Sequence, residues 1–220
     1  MDFKKKIQNV TIRKASEIDA DDWARILHAS LVGTYAQYIS QDYLNNNCNV
    51  EKLKKDFLQE INLCNRGENN SELYMLILNE VPVGILKIGQ PIKCYTDGNN
   101  YYRDNIDGIG EIKSLHIESK YQGRGIGNQA IAFAEKRLRK LNYRISHLWV
   151  KQANAKAIEF YKRMGYKETK FVNPNTNDKA SSIVMEKEIV KEQTREENET
   201  VASVKWKMWR EIFYVIVWVQ

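Results

Sequence analysis

The chain has 220 residues, of which 43% are hydrophobic and 28% charged, with only three prolines. That balance supports a buried core and excludes a disordered or collagen-like chain, and no apolar run is long enough to span a bilayer. The formal net charge of +6 favours anionic partners such as phosphorylated cofactors, while the lack of a basic run disfavours nucleic acid. From Lys187 onward acidic and basic residues balance, so the excess lies in residues 1–186. Cys48, Cys64 and Cys94 are odd in number and widely spaced, with no Cys-x-x-Cys pair. They build neither a disulfide framework nor a zinc site. No apolar stretch follows Met1-Asp2-Phe3-Lys4-Lys5-Lys6, so no signal peptide is expected and the reading is a cytoplasmic protein.

Val10–Ala15 alternates apolar and polar residues and predicts a first strand. Asp19 to Asp22 supply capping residues for a helix through Trp23–His28. Gly33–Asn49, rich in Tyr, Asn and Gln, reads as a loop with short helical turns. Leu53, Phe57, Leu58 and Ile61 then recur at helical spacing within Val50–Leu63. Leu73–Leu78 and Val83–Ile88 are strands joined by a turn at Asn79-Glu80. Pro91–Asp107 is polar and turn-rich, which predicts a surface loop. Ile109–Glu118 is a fourth strand, Ile126–Leu141 a helix and Ile145–Val150 a strand. Ala153–Met164 is a helix ended by Gly165. Tyr166–Val172 and Ser182–Glu188 close the series as strands. The order predicts an α/β (α+β) fold with a mixed sheet covered by helices on both faces.

The most informative stretch is Gln122-Gly123-Arg124-Gly125-Ile126-Gly127. It follows a strand and opens a helix. Alternate glycines let the backbone turn sharply and approach a ligand closely. Their N–H groups, with the first helical turn, form a positive concavity suited to phosphate, and Arg124 adds a cation. The stretch lacks the Gly-Lys-Ser/Thr of a P-loop. It reads GxGxG rather than the GxGxxG of a dinucleotide fold, and follows the fourth strand rather than the first. A turn with only a packing role stays open from these residues alone.

Gln-x-x-Gly-x-Gly resembles the acyl-CoA pyrophosphate loop of the GCN5-related N-acetyltransferase (GNAT) superfamily. Asn154-Ala155-Lys156-Ala157-Ile158-Glu159-Phe160-Tyr161-Lys162-Arg163-Met164-Gly165-Tyr166 is similar to that family's N-x-x-A-x-x-F-Y-x-x-x-G-F/Y motif. The two motifs agree in order, spacing and context over roughly residues 10–188. The resemblance implies the GNAT fold, a mostly antiparallel mixed sheet of about seven strands. It also implies an enzyme that transfers an acetyl group from acetyl-CoA, as co-substrate, to a primary amine.

It further implies roles for residues. Tyr161 matches the tyrosine placed near the CoA sulfur and would be the general acid for the leaving thiolate, where a packing tyrosine is the alternative. Glu111, eleven residues before Gln122, has an offset similar to the catalytic glutamate of histone-type members. It would act as base through water, its pKa raised at the floor of a cleft. The alternative is an exposed glutamate paired with Lys113. Leu115, His116 and Ile117 would bind the pantetheine arm through main-chain groups. Gln122, Gly123, Arg124, Gly125, Ile126 and Gly127 would hold the pyrophosphate. Asn154 would orient the arm or cap its helix. Tyr35, Tyr38 and Tyr43 would wall the acceptor cleft, by contact with a cationic amine or by packing alone. His28 and His147 earn no role, and the three histidines lack metal-ligand spacing, so no metal is expected.

Residues 1–188 are expected to form the acetyltransferase domain and 189–220 a C-terminal extension of unassigned role. Its end, Trp206–Val219, is aromatic-rich and would dock on the domain, sit at a homodimer interface or touch a membrane surface. The acceptor would be a polyamine-like small molecule or a protein amine. A tRNA-acetylating toxin and a non-catalytic acyl-CoA-binding module are the competing readings.

Overall fold

The computed structural model describes residues 9–35, 41–91, 107–173 and 181–189. The chain divides into two units, Met1–Ile189 and Val190–Gln220. The description concerns the first of them, and the aromatic-rich tail lies outside the described residues.

The elements run β1 (Thr11–Lys14), α1 (Ala20–Ser30), α2 (Gln41–Asn47), α3 (Val50–Asn65), β2 (Ser71–Leu78), β3 (Val81–Gly89), β4 (Ile109–Ile117), α4 (Ile126–Lys140), β5 (Ile145–Lys151), α5 (Ala155–Arg163), β6 (Lys167–Asn173) and β7 (Ser182–Glu188). The stretch from Gly33 to Asn49, read as a loop with short helical turns, contains the seven-residue α2, and a π-helical turn, Leu31–Tyr35, extends α1. Most of the expected Pro91–Asp107 loop and of the 173–178 link falls outside the described residues.

One seven-stranded sheet has the order β1-β2-β3-β4-β5-β7-β6. Every neighbouring pair is antiparallel except β4 with β5. The Asn79-Glu80 turn has φ of +48° and +67°. Two left-handed residues are what a two-residue hairpin needs to follow the twist of its strands.

β2 reads as a continuous apolar run because both its faces are covered. Leu73 and Met75 pack with Trp23, Ile26, Phe57 and Ile61 of α1 and α3. Tyr74, Leu76 and Leu78 pack with Ala130, Ile131, Ala134 and Leu138 of α4. The α4 face also carries a part-buried polar knot. Arg137 donates to both Glu72 oxygens at 2.7 and 2.6 Å, and the Tyr74 hydroxyl donates to the same carboxylate at 2.6 Å. The Arg137 bond outweighs burial and holds the Glu72 pKa down at about 2.

Asp19 departs from the capping role expected of it. Its carboxylate accepts from the Ser16 N–H at 2.8 Å and from two Arg13 nitrogens at 2.8 and 2.6 Å, and makes no capping bond to α1. Asn49 caps α3 by accepting from the Lys52 N–H at 2.8 Å. No helix among the described residues is long and apolar enough to cross a membrane.

Candidate active site

The parallel pairing of β4 and β5 covers three rungs, Ile109 with Ile145, Gly110 with Ser146 and Glu111 with His147. Beyond Glu111, among the described residues, β4 goes on to Ile117 beside β3 alone, and β5 goes on to Lys151 beside β7 alone. The two strands therefore part, and a gap opens in the middle of the sheet toward their C-terminal ends. This is the end at which parallel strands in α/β folds present ligand sites. Six residues separate the floor of the gap at Glu111 from its mouth at Ile117, about 20 Å at ~3.3 Å per residue.

Lys113 interrupts the β3 pairing, since Lys87 pairs with Ser114 and Ile88 with Ile112. An extra residue of this kind bends a strand and increases its twist, which helps β4 turn away from β5. After the bulge the Glu118 N–H donates to the Val83 carbonyl at 3.0 Å. Main-chain groups alternate sides along an antiparallel strand. Those of His116 therefore face β3, and those of Leu115 and Ile117 face the gap. The expectation that Leu115, His116 and Ile117 all offer main-chain groups is thus narrowed to Leu115 and Ile117. The His116 ring also turns elsewhere. Its Nδ1 lies 2.8 Å from the Ser30 hydroxyl of α1, and burial pushes its pKa down to about 4.

The glycine turn stands at the mouth. Gly123 and Gly125 have φ of +71° and +81°, where a Cβ is strained. Gly125 occupies the position before α4, whose first turn carries no acidic residue. The helix dipole and the leading N–H groups therefore present uncompensated positive character. Arg124 donates to the Lys120 carbonyl at 2.9 Å, and its guanidinium stands 5.4 Å from the Tyr121 ring centre. Lys120 stands 5.0 Å from the same ring. Gln122 bends back, and its amide donates to the Ile117 carbonyl at 3.0 Å, which pins the strand end to the turn. The Ile126 side chain is buried in the core, so only its main chain faces the ligand side.

At Gly127 the packing role left open for the turn is realised. A Cβ there would lie 3.1 and 3.3 Å from two ring carbons of Phe160. The missing side chain lets α5 close on the first turn of α4. Asn154 caps α5 by accepting from the Ala157 N–H at 3.1 Å, and Gly165, at φ +89°, ends it. Tyr161 is half-buried next to Phe160, and its ring centre is 5.1 Å from that of Phe160 and 5.9 Å from that of Tyr166. Tyr166 is buried, with its hydroxyl 2.7 Å from that of Ser146.

Glu111 is only 8% exposed, which corrects the exposure, though not the Lys113 partner, of the alternative reading. Its charge acts on Lys113, whose pKa burial lowers while Glu111 and Glu60 pull it up. Glu60 of α3 also pairs with Lys87 of β3. Among the described residues no group of His, Cys, Asp or Glu is arranged to hold a metal ion. The side chains of Tyr35, Tyr38 and Tyr43 lie outside the described residues.

Residues 37–166 match the acetyltransferase (GNAT) family. The chain belongs to this family. It is an acyl-CoA-dependent N-acetyltransferase, with acetyl-CoA as its co-substrate. An uncharacterised N-acetyltransferase of Methanocaldococcus jannaschii is 29% identical over 176 residues, covering 78% of this chain and 67% of that protein. Two solved structures share the fold. The PaiA N-acetyltransferase of Thermoplasma acidophilum in complex with coenzyme A superposes with a TM-score of 0.63 at 20% identity, covering 82% of this chain and 99% of that one. YncA of Salmonella typhimurium, with its cofactor acetyl-CoA, superposes with a TM-score of 0.60 at 16% identity, covering 83% and 95%.

Two residues to which sequence reasoning gave no role stand in line with Glu111 across the sheet. His147 of β5 is the register partner of Glu111, and Glu186 of β7 is the register partner of His147. The alternation of Glu186 with Ile183 and Met185 along β7 marks it as facing away from the core. Its neighbour depends on β7 lying between β5 and β6, which no local pattern states. Glu118 was also missed. It forms an ion pair with Arg25 and so ties α1 to the end of β4.

Proposed function

We propose that the chain transfers the acetyl group of acetyl-CoA directly to a primary amine, carried by a polyamine-like small molecule or by a protein. The observation that carries this reading is the parting of β4 from β5 beyond the Glu111–His147 rung, with the glycine turn at the mouth and a buried carboxylate at the floor. In this reading the N–H groups of Gly123 to Gly127, with Arg124, hold the pyrophosphate. The Leu115 and Ile117 main chain guides the pantetheine arm, and Gln122 and Asn154 fix the strand end and the helix start that flank it.

The amine must be neutral to attack, and Glu111 takes its proton through water. The gap-facing N–H of Leu115 is suitably turned to support the oxyanion of the tetrahedral intermediate. Tyr161 returns a proton to the departing thiolate. Residues 1–188 form the acetyltransferase domain and 189–220 an extension. The few scattered cysteines favour work in the reducing cytoplasm.

The test is steady-state release of CoA from acetyl-CoA with spermidine, lysine amide and short peptides as acceptors. Tyr161→Phe is expected to lower kcat by about 10²- to 10⁴-fold and to spare acetyl-CoA affinity. Glu111→Gln should lower the rate most at low pH, where the amine is protonated. Wild-type turnover in Tyr161→Phe removes Tyr161 as the acid, and an unchanged pH profile in Glu111→Gln removes Glu111 as the base.

A further inference from the structure

Three side chains of opposite chemistry stand in a row across the sheet. Glu111 of β4 pairs in register with His147 of β5, and His147 with Glu186 of β7. Register partners project from the same face, with Cβ atoms about 5 Å apart, so the imidazole stands between two carboxylates. Leu148 and Val150 point into the α4-side core, which turns His147 to the opposite face of the sheet. That is the face on which Glu60 and Lys87 pair and which the His116 ring shares.

His147 is 8% exposed, and its buried Nδ1 finds no hydrogen-bond partner among the described residues. A buried polar atom without a partner carries a desolvation cost that is retained where the group works. Glu186 Oε1 stands 3.5 Å from that Nδ1, so a shift of about half an ångström brings it to hydrogen-bond length. Bonds of this kind are often long before substrate binds. A carboxylate at Nδ1 fixes the tautomer and leaves Nε2 as the atom that accepts a proton. Trp149 stands edge-on to the imidazole with ring centres 5.8 Å apart, on the same face.

We propose that His147, oriented by Glu186, is the proton relay behind Glu111 at the floor of the gap, and that the two carboxylates select an acceptor presenting an ammonium group. This rests on the amine-acetylating reading. The nitrogen loses two protons as the C–N bond forms and the C–S bond breaks. One ends on the CoA thiol by way of Tyr161. The other passes through Glu111 and His147 to solvent, so charge does not accumulate beside the buried carboxylate. On the face that His147 shares stand Glu111 of β4, Glu186 and Glu188 of β7, and the Lys87–Glu60 pair of β3 and α3, with Lys167 of β6 in register with Glu186.

The experiment compares wild type, His147→Gln, Glu186→Gln, Glu111→Gln and the Glu111→Gln/His147→Gln double variant. The pH dependence of kcat/KM is followed with spermidine and lysine amide, and acetyl-CoA binding is measured by calorimetry. His147→Gln is expected to lose at least tenfold in kcat/KM at neutral pH and to shift the acid limb of the profile, with acetyl-CoA affinity unchanged. The double variant should be little worse than the more severe single, as for residues that act as a unit. Glu186→Gln should also shift the acid limb, with a smaller loss. A wild-type profile in His147→Gln, or losses that multiply in the double variant, overturns the relay and leaves the amine reading standing. Acetyl-CoA binding by the wild type with no turnover of any amine overturns both.

Discussion

Gly125 offers the sharpest link between backbone conformation and ligand binding. Its φ of +81° and ψ of 1° place it in the left-handed region directly before α4. For an L-residue that conformation costs about 1–2 kcal/mol, so Gly125→Ala should lose about that much stability. At roughly 2–4 °C per kcal/mol for a chain of this size, the melting temperature should fall by about 2–8 °C. Asparagine tolerates the left-handed region and is a good residue before a helix, so Gly125→Asn should recover most of the loss. Both side chains project beside the N–H groups of the turn, so both variants should raise the KM for acetyl-CoA whatever their stability. Thermal unfolding and acetyl-CoA titration of the pair separate the two effects. An alanine variant as stable as wild type, or an asparagine variant no better than alanine, would refute the strain argument.

Acid stability provides two further expectations. The folded pKa of His116, about 4, lies below the unfolded value of about 6.5, so the unfolded chain binds the extra proton first and stability falls as pH drops from 6.5 toward 4. His116→Gln should flatten that part of the stability curve measured by urea unfolding, and an equal decline would show that His116 does not contribute. Glu72 has a folded pKa of about 2 against an ordinary 4.5, so its contribution is full above pH 4.5 and is lost as pH falls toward 2. Arg137→Met removes both charged hydrogen bonds and should cost about 1.5–3 kcal/mol at pH 7, with less effect below pH 3. A loss independent of pH would point to packing alone. Asn154→Ala should cost about 1 kcal/mol through its lost cap on α5, detectable as a lower melting temperature, and an unchanged value would deny the cap.

Much of the fold was legible because its signals are local. Asn79-Glu80 is a turn in sequence and a hairpin in space. The apolar spacing of Ile126–Leu141 gave α4, and Gly165 closed α5. Glu111, the glycine turn and Tyr161 came forward as a candidate set only through two motifs that agree in spacing and the offset of Glu111 from the first of them. What stayed hidden depends on long-range pairing. The insertion of β7 between β5 and β6 sets Glu186 beside His147, and the end of β4–β5 pairing after Glu111 opens the gap. The direction of His116 follows from a hydrogen-bond phase that the Lys113 bulge resets, so its neighbours face the gap and it does not. Gly127 looked like one more backbone donor because Phe160, thirty-three residues away, could not be placed against it.

The central claim is that the turn ahead of α4 and the gap behind it receive acetyl-CoA. It is tested most directly by calorimetric titration of acetyl-CoA into the full chain, with Gly125→Glu as control. The account expects one binding event per chain in the wild type and its loss in a control that remains folded by circular dichroism. A folded wild-type chain that binds no acetyl-CoA, or a control that binds as well as wild type, would contradict it.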